Sequence, residues 1–202
     1  MGDLISWQTL LEVMLGITLS AAAGFRVFVP LLALSAVSVL GHFDLPADFD
    51  WIETSPALIM FAIACLLEIS GYFIPWLDHA LDLVATPAAI LAGTLMSASL
   101  APADMSPLIQ WTLALVAGGG TAGITKLLTN LVRGTSTATS GGLANPIWAL
   151  IELAGAIALS VLAFTVPVLA GFLVIGLIGL GFFKLWQFLS GRTAQTNSTL
   201  TE

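Results

Sequence analysis

The side chains best able to do chemistry are a few charges set inside apolar runs. Glu68 is the only charge in the run 56–77, and Glu152 lies about two turns into the run 146–164. A charge in the middle of a membrane helix costs roughly 2.5–3.5 kcal/mol on insertion scales, so such residues are rare and usually functional. Neither acid can stay ionised against lipid; each must be neutral, paired or beside a wet cavity. The cations available on the same side are Arg26, Lys126 and Arg133. Two chemistries fit. Glu68 and Glu152 line a polar path for an ion or small charged solute, with Lys126 and Arg133 at its inner mouth. Alternatively, the same charges are buried pairs that fix helix register.

Two further groups lie nearby. Asp78 and Asp82 are four residues apart, so on a short helix they share a face, with His79 beside it. Two carboxylates and an imidazole suit cation binding or proton relay, but an interfacial segment showing its acids to water has the same pattern. A metal site is the weaker reading, because His79 is the only histidine nearby and His42 falls on the opposite side. Arg133 then leads through the Gly, Ser and Thr residues of 134–145 to Asn145-Pro146, which reads as an N-cap and N1 pair. Glycines, hydroxyls, cations and a helix N-terminus suit an anion; a flexible loop has the same composition. P-loop spacing is absent, so nucleotide hydrolysis is not indicated.

The elements that must position these residues are membrane helices. Of 202 residues, 58% are hydrophobic and 8% charged, against about 25% charged in soluble domains, and the mean hydropathy is +1.03. About 20 apolar residues cross the hydrocarbon core as a helix. The expected fold is all-α: a polytopic transmembrane bundle of about seven segments, at 5–23, 27–40, 56–73, 87–100, 108–126, 146–164 and 168–189. The second and fourth are short enough to be tilted or re-entrant. Residues 74–86 and 134–145 read as connections. One transmembrane domain spans 1–190, and the polar tail 191–202 reads as disordered. The first run has no basic region or cleavage site before it, so it reads as a retained helix.

Two signals give a sidedness. With seven crossings and the N-terminus outside, all five basic residues (Arg26, Lys126, Arg133, Lys184 and Arg192) fall inside. The loop 41–55 then lies outside with Asp44, Asp48, Asp50 and Glu53 and no Lys or Arg. Trp7, Trp51 and Trp111 group outside, and Trp76, Trp148 and Trp186 inside, as headgroup-level rings do. Small residues at four-residue spacing predict close helix contacts: Gly16, Ser20 and Gly24; Ala89, Gly93 and Ser97; Ala114, Gly118 and Ala122. A weak internal repeat is also visible, pairing 22–26 with 121–126 and 66–71 with 150–155.

Several classes are disfavoured. The net charge of −7 and the lack of any basic cluster argue against nucleic acid as a partner. The single cysteine, Cys65, lies mid-span and reads as a small core residue. With two histidines on opposite faces, no nucleophile–base or metal constellation points to an enzyme, and no cofactor or metal is expected.

Glu68, Pro75 and Asp78, Pro87 with Ala92-Gly93, Arg133 with Ser136-Thr137, and Asn145-Pro146 with Glu152 together resemble a bacterial integral-membrane family known as domain of unknown function 4126. The resemblance covers most of the chain and implies a multi-pass protein of the bacterial inner membrane, without supplying an activity. Family members often carry Asp-Lys where this chain has Tyr72-Phe73, and an acid where it has Leu153. A mechanism that needs those charges is therefore not implied for this chain.

The leading expectation is a small transporter or channel for an ion or small charged solute, with homo-oligomerisation as one possible form. Its functional residues would be Glu68, Glu152, Lys126, Arg133, Arg26, Asp78, Asp82 and Asn145, with membrane lipid around it and the C-terminus cytoplasmic. The alternative is a non-transporting scaffold, or a helix bundle that binds lipid or a partner.

Overall fold

The computed structural model describes residues 7–71, 75–102, 105–141 and 143–198, without the side chains of 75–80, 82, 83, 185 and 188–198. Helix α1 (Trp7–Phe25) breaks at Arg26 into the short α2 (Phe28–Val39). A 3-10 turn (Ala47–Glu53) leads into α3 (Ser55–Gly71), followed by α4 (Pro75–Ser99). Helix α5 (Pro107–Leu113) runs through a π-helical segment (Ala114–Gly119) into α6 (Gly120–Ser140), and α7 (Asn145–Thr165) and α8 (Pro167–Ser198) complete the chain. Among the described residues, four stretches are long and apolar enough to cross a membrane: Trp7–Phe25, Pro107–Ser140, Asn145–Thr165 and Pro167–Lys184; the bent pair Ala47–Glu53 and Ser55–Gly71, taken as one span, makes a fifth. The protein is an all-α membrane bundle.

The distribution of side chains is inverted relative to a soluble domain. Leu66, Leu91, Leu108, Leu177 and Phe182 point outward, while alanines, serines, threonines and several charges are enclosed. Lipid solvates the apolar exterior, so the interior is selected for close approach and internal hydrogen bonding.

All three predicted small-residue stripes meet at one crossing of α1, α4 and the α5–α6 rod. A Cβ added to Gly118 would overlap the Gly93 carbonyl oxygen, and one on Gly24 would stand 2.7 Å from the Ala122 carbonyl oxygen. Gly16 faces Ser97, and the Ser20 hydroxyl donates to the Gly93 carbonyl at 2.9 Å. Along these contacts α4 runs antiparallel to α1 and α6, which run parallel. Glu68, near the end of α3, and Glu152, near the start of α7, sit on helices that run opposite ways through the charged region described below. The two sequence matches that suggest a repeat are thus related differently in space.

At one end of the bundle, the 3-10 turn tucks Phe49 and Ile52 into the core, and the Ser35 hydroxyl donates to the Ile52 carbonyl at 2.6 Å. The Glu53 carboxylate accepts from the Leu45 amide. Asp44, Asp48 and Asp50 stay exposed. The Phe49 and Trp111 ring centroids are 6.2 Å apart, which puts the acidic loop and the start of α5 at the same end, as the tryptophan grouping predicts.

Two predicted connections are helical instead. Residues 75–86 belong to α4, which passes through Pro87 rather than starting there. Packed membrane helices tolerate an internal proline because neighbours re-satisfy the freed backbone groups. Helix α4 is thus 25 residues long, about 38 Å at 1.5 Å per residue, while its apolar part, Val84–Ser99, keeps the predicted shortness. The stretch 134–140 is the end of α6. Thr135, Thr139 and Ser140 bond to carbonyls one turn back at 2.9, 3.0 and 2.7 Å, so the hydroxyls that suggested a loop are satisfied within the helix. The chain turns at Gly141, whose φ of +63° suits glycine. Pro107–Ser140 is one rod of 34 residues, about 51 Å long, so its hydroxyl-rich end reaches past a hydrocarbon core of about 30 Å. Helix α2 keeps its predicted shortness at 12 residues.

Candidate functional site

The α1–α2 break sets the geometry of the charged region. The backbone around Arg26, Val27 and Phe28 offers no Ser, Thr, Asn or Asp to cap α2, and Val27 at the cap position has no side-chain acceptor. The start of a helix leaves amides without intrahelical partners and carries a partial positive charge. Glu68 supplies the cap from α3. Its Oε1 accepts from the Val27 amide at 2.9 Å and its Oε2 from the Phe28 amide at 3.1 Å. Pro30, in the first turn of α2, has no amide to satisfy. Each charge-assisted bond of this kind contributes about 1.5–3 kcal/mol.

Glu152 is held differently. Arg26 Nη2 lies 3.7 Å from its Oε2, and Arg133 Nε lies 3.9 Å from its Oε1. These are Coulombic contacts longer than a hydrogen bond. Arg26 Nη2 also donates to the Ala149 carbonyl at 2.8 Å, one turn before Glu152 on α7. One arginine thus ties the end of α1 to α7, and the other ties α6 to the same carboxylate.

The five ionisable residues singled out from the sequence are all buried: Arg26 and Lys126 are 2% exposed, Glu152 3%, Arg133 5% and Glu68 7%. Charges so enclosed are costly unless paired and hydrogen-bonded. The residues expected at an open inner mouth, Lys126 and Arg133, are therefore interior groups. Three of the five cations used for sidedness are buried too, whereas Lys184 is exposed.

The other predicted residues lie elsewhere. Asn145 is not the N-cap of α7: Ala144 holds that position, and Asn145 is the first helical residue. Its Oδ1 accepts from the Thr137 hydroxyl at 3.1 Å, joining the end of α6 to the start of α7. The side chains of Asp78, His79 and Asp82 lie outside the described residues. Sequence reasoning missed the Val27 and Phe28 amides and the Ala149 carbonyl as partners of the charges. One signal was available, a helix beginning after Arg26 with no capping residue of its own.

Beside Glu152 lies a cavity of about 260 Å³ between α1, α6, α7 and α8. Phe25, Leu128, Trp148 and Ile151 line it, with Thr125, Thr129 and Glu152 as its polar residues.

Comparisons with curated proteins and with solved structures found no match. The model of a family described as a domain of unknown function, DUF4126, matches residues 13–187. That match covers the charged region, the three-helix crossing and the cavity walls, and the chain belongs to this family.

Proposed function

We propose that this protein binds a lipid or another partner within the bilayer rather than conducting ions. The observation that carries this reading is how the two acids are held. Glu68 has both oxygens on the backbone of α2, and Glu152 sits between two arginines. The acids join helices instead of facing each other across a wet path. In proteoliposomes the wild type is expected to pass protons, alkali cations, halides, phosphate and small organic acids no faster than empty vesicles leak. Glu68→Gln should then alter only stability. Flux above leak that changes with Glu68→Gln would overturn this reading.

Transport of a small charged solute is the second reading. It draws on five buried ionisable side chains and on the π-helical segment Ala114–Gly119, since π segments often accompany functional sites. The flux panel separates the two.

The proposed location is a bacterial inner membrane, with the N-terminus and the acidic 41–55 loop outside and the C-terminus cytoplasmic. Its support is the acidic, Trp-bearing end formed by the 3-10 turn and the start of α5. In a Cys65→Ser background, a cysteine at Ala47 should react with an impermeant reagent from the periplasm, and one at Thr196 from the cytoplasm only. The reverse pattern would invert the assignment.

A further inference from the structure

We propose that a groove at the acidic end of the bundle binds a primary alkylammonium, a hydrocarbon chain carrying one protonated amine. This inference rests on the binding-protein reading above and names a ligand class. The groove, about 250 Å³, lies between the start of α1, the loop before the 3-10 turn and the α7–α8 junction. Leu11, Leu15, Phe43 and Phe164 supply apolar wall, and Gln8 and Glu12 are its polar side chains. Its volume exceeds the roughly 150 Å³ of an apolar cavity able to hold benzene, which leaves room for a short chain. Glu12 lines the groove and is only half-buried, in contrast to the enclosed Glu152.

Charge selects the head. Glu12 lies five residues beyond Trp7 on α1, about 7.5 Å along the helix. An ionised carboxylate at that depth beside acyl chains is costly without an opposite charge. The protein supplies a neutral partner: Gln8 Nε2 donates to Glu12 Oε1 at 3.1 Å, the one side-chain bond of Glu12 among the described residues. Arg26, the nearest basic residue in the sequence, is fourteen residues on, about 21 Å along α1. No Lys or Arg falls between Arg26 and Lys126 or between Arg133 and Lys184. Asp44, next to Phe43 in the chain, is exposed and keeps that end negative. Glu12 Oε2 and Gln8 Oε1 are both acceptors, so the head must be a cation that also donates. An ammonium does both, and aromatic walls at Phe43 and Phe164 suit a cation rather than an anion. An alcohol brings no countercharge, and an acid would meet Glu12 as a like charge.

The probe is a trifluoro-labelled octylamine, titrated by fluorine NMR against the full chain in phosphatidylcholine nanodiscs, with the signal from empty nanodiscs subtracted. The matching acid and alcohol are run in parallel. Saturable binding of the amine, at least about tenfold tighter than that of acid or alcohol, is expected from a charge-assisted contact. Glu12→Gln keeps the size of the side chain and should weaken amine binding at least about tenfold, without shifting the melting temperature. Glu12→Asp should keep part of the affinity. Asp44→Asn removes an acid outside the groove and should weaken binding less than about twofold, since solvent screens that charge. Leu11→Trp should fill the groove and abolish binding. Equal binding of amine and alcohol, equal losses for Glu12→Gln and Asp44→Asn, or no saturable binding beyond empty nanodiscs would overturn the proposal. The flux assay is read independently, so ion passage sinks the binding-protein reading without erasing a Glu12-dependent titration.

Discussion

The crossing of α1, α4 and the α5–α6 rod and the contact of α1 with α7 solve the same problem by opposite means. At the crossing, helices meet through Gly, Ala and Ser, close enough that a Cβ on Gly118 or Gly24 would intrude on a neighbour's backbone. At α7, the link is carried by Arg26, Arg133 and Glu152 with the Ala149 carbonyl. Lipid tails are as apolar as leucine, so burying apolar surface gives helices little reason to associate in a membrane. Contact must come from close packing or from polar groups that lipid cannot satisfy. The packed region closes tightly, whereas the charge-linked region leaves a cavity beside it.

The largest expected effect tests the charged side. Glu152→Gln leaves two buried guanidiniums facing an amide, and breaking a buried pair from one side costs about 3–5 kcal/mol. Reversible unfolding in mixed detergent–SDS micelles should show that loss, with part recovered when Arg133→Gln is added. A strictly additive double variant would mean these groups do not interact directly.

Next comes the packed side. Gly118→Ala should cost about 1–3 kcal/mol by overpacking, because the obstacle includes the Gly93 carbonyl as well as the Ser97 side chain. The same titration measures it. A neutral result would show that α4 and the π segment can part without loss, and the contrast between the two regions would fail.

The smallest effect is a control with the opposite sign. A Cβ on Gly134, in the helical end of α6, meets nothing within 4 Å. Gly134→Ala should stabilise by about 0.5–1 kcal/mol, the helix preference of alanine over glycine. A loss there would indicate that 134–140 is not helical in the membrane.

What could be read in advance divides along the same line. The membrane class, the short α2 and the three small-residue stripes were legible because each depends on composition or on four-residue spacing, which are local properties. The unbroken α4 and α6 were not. Pro87 and the Ser/Thr run look like helix boundaries by rules learned in water, where a freed carbonyl or a competing hydroxyl finds solvent. In these helices the hydroxyls of Thr135, Thr139 and Ser140 bond back to the preceding turn.

Sequence alone determined that Glu68, Glu152, Arg26, Lys126 and Arg133 need a reason to lie within or beside apolar segments, since an ion in hydrocarbon has no stable unpartnered state. Only the tertiary structure decided what those reasons are. Glu68 reaches about 40 residues back along the chain to cap α2, and Glu152 sits between two arginines, one at the α1–α2 break and one on α6. Pairings between distant segments depend on how the helices cross, and the crossing is packed through glycines of α1, α4 and the α5–α6 rod, on other helices than Glu68 and Glu152.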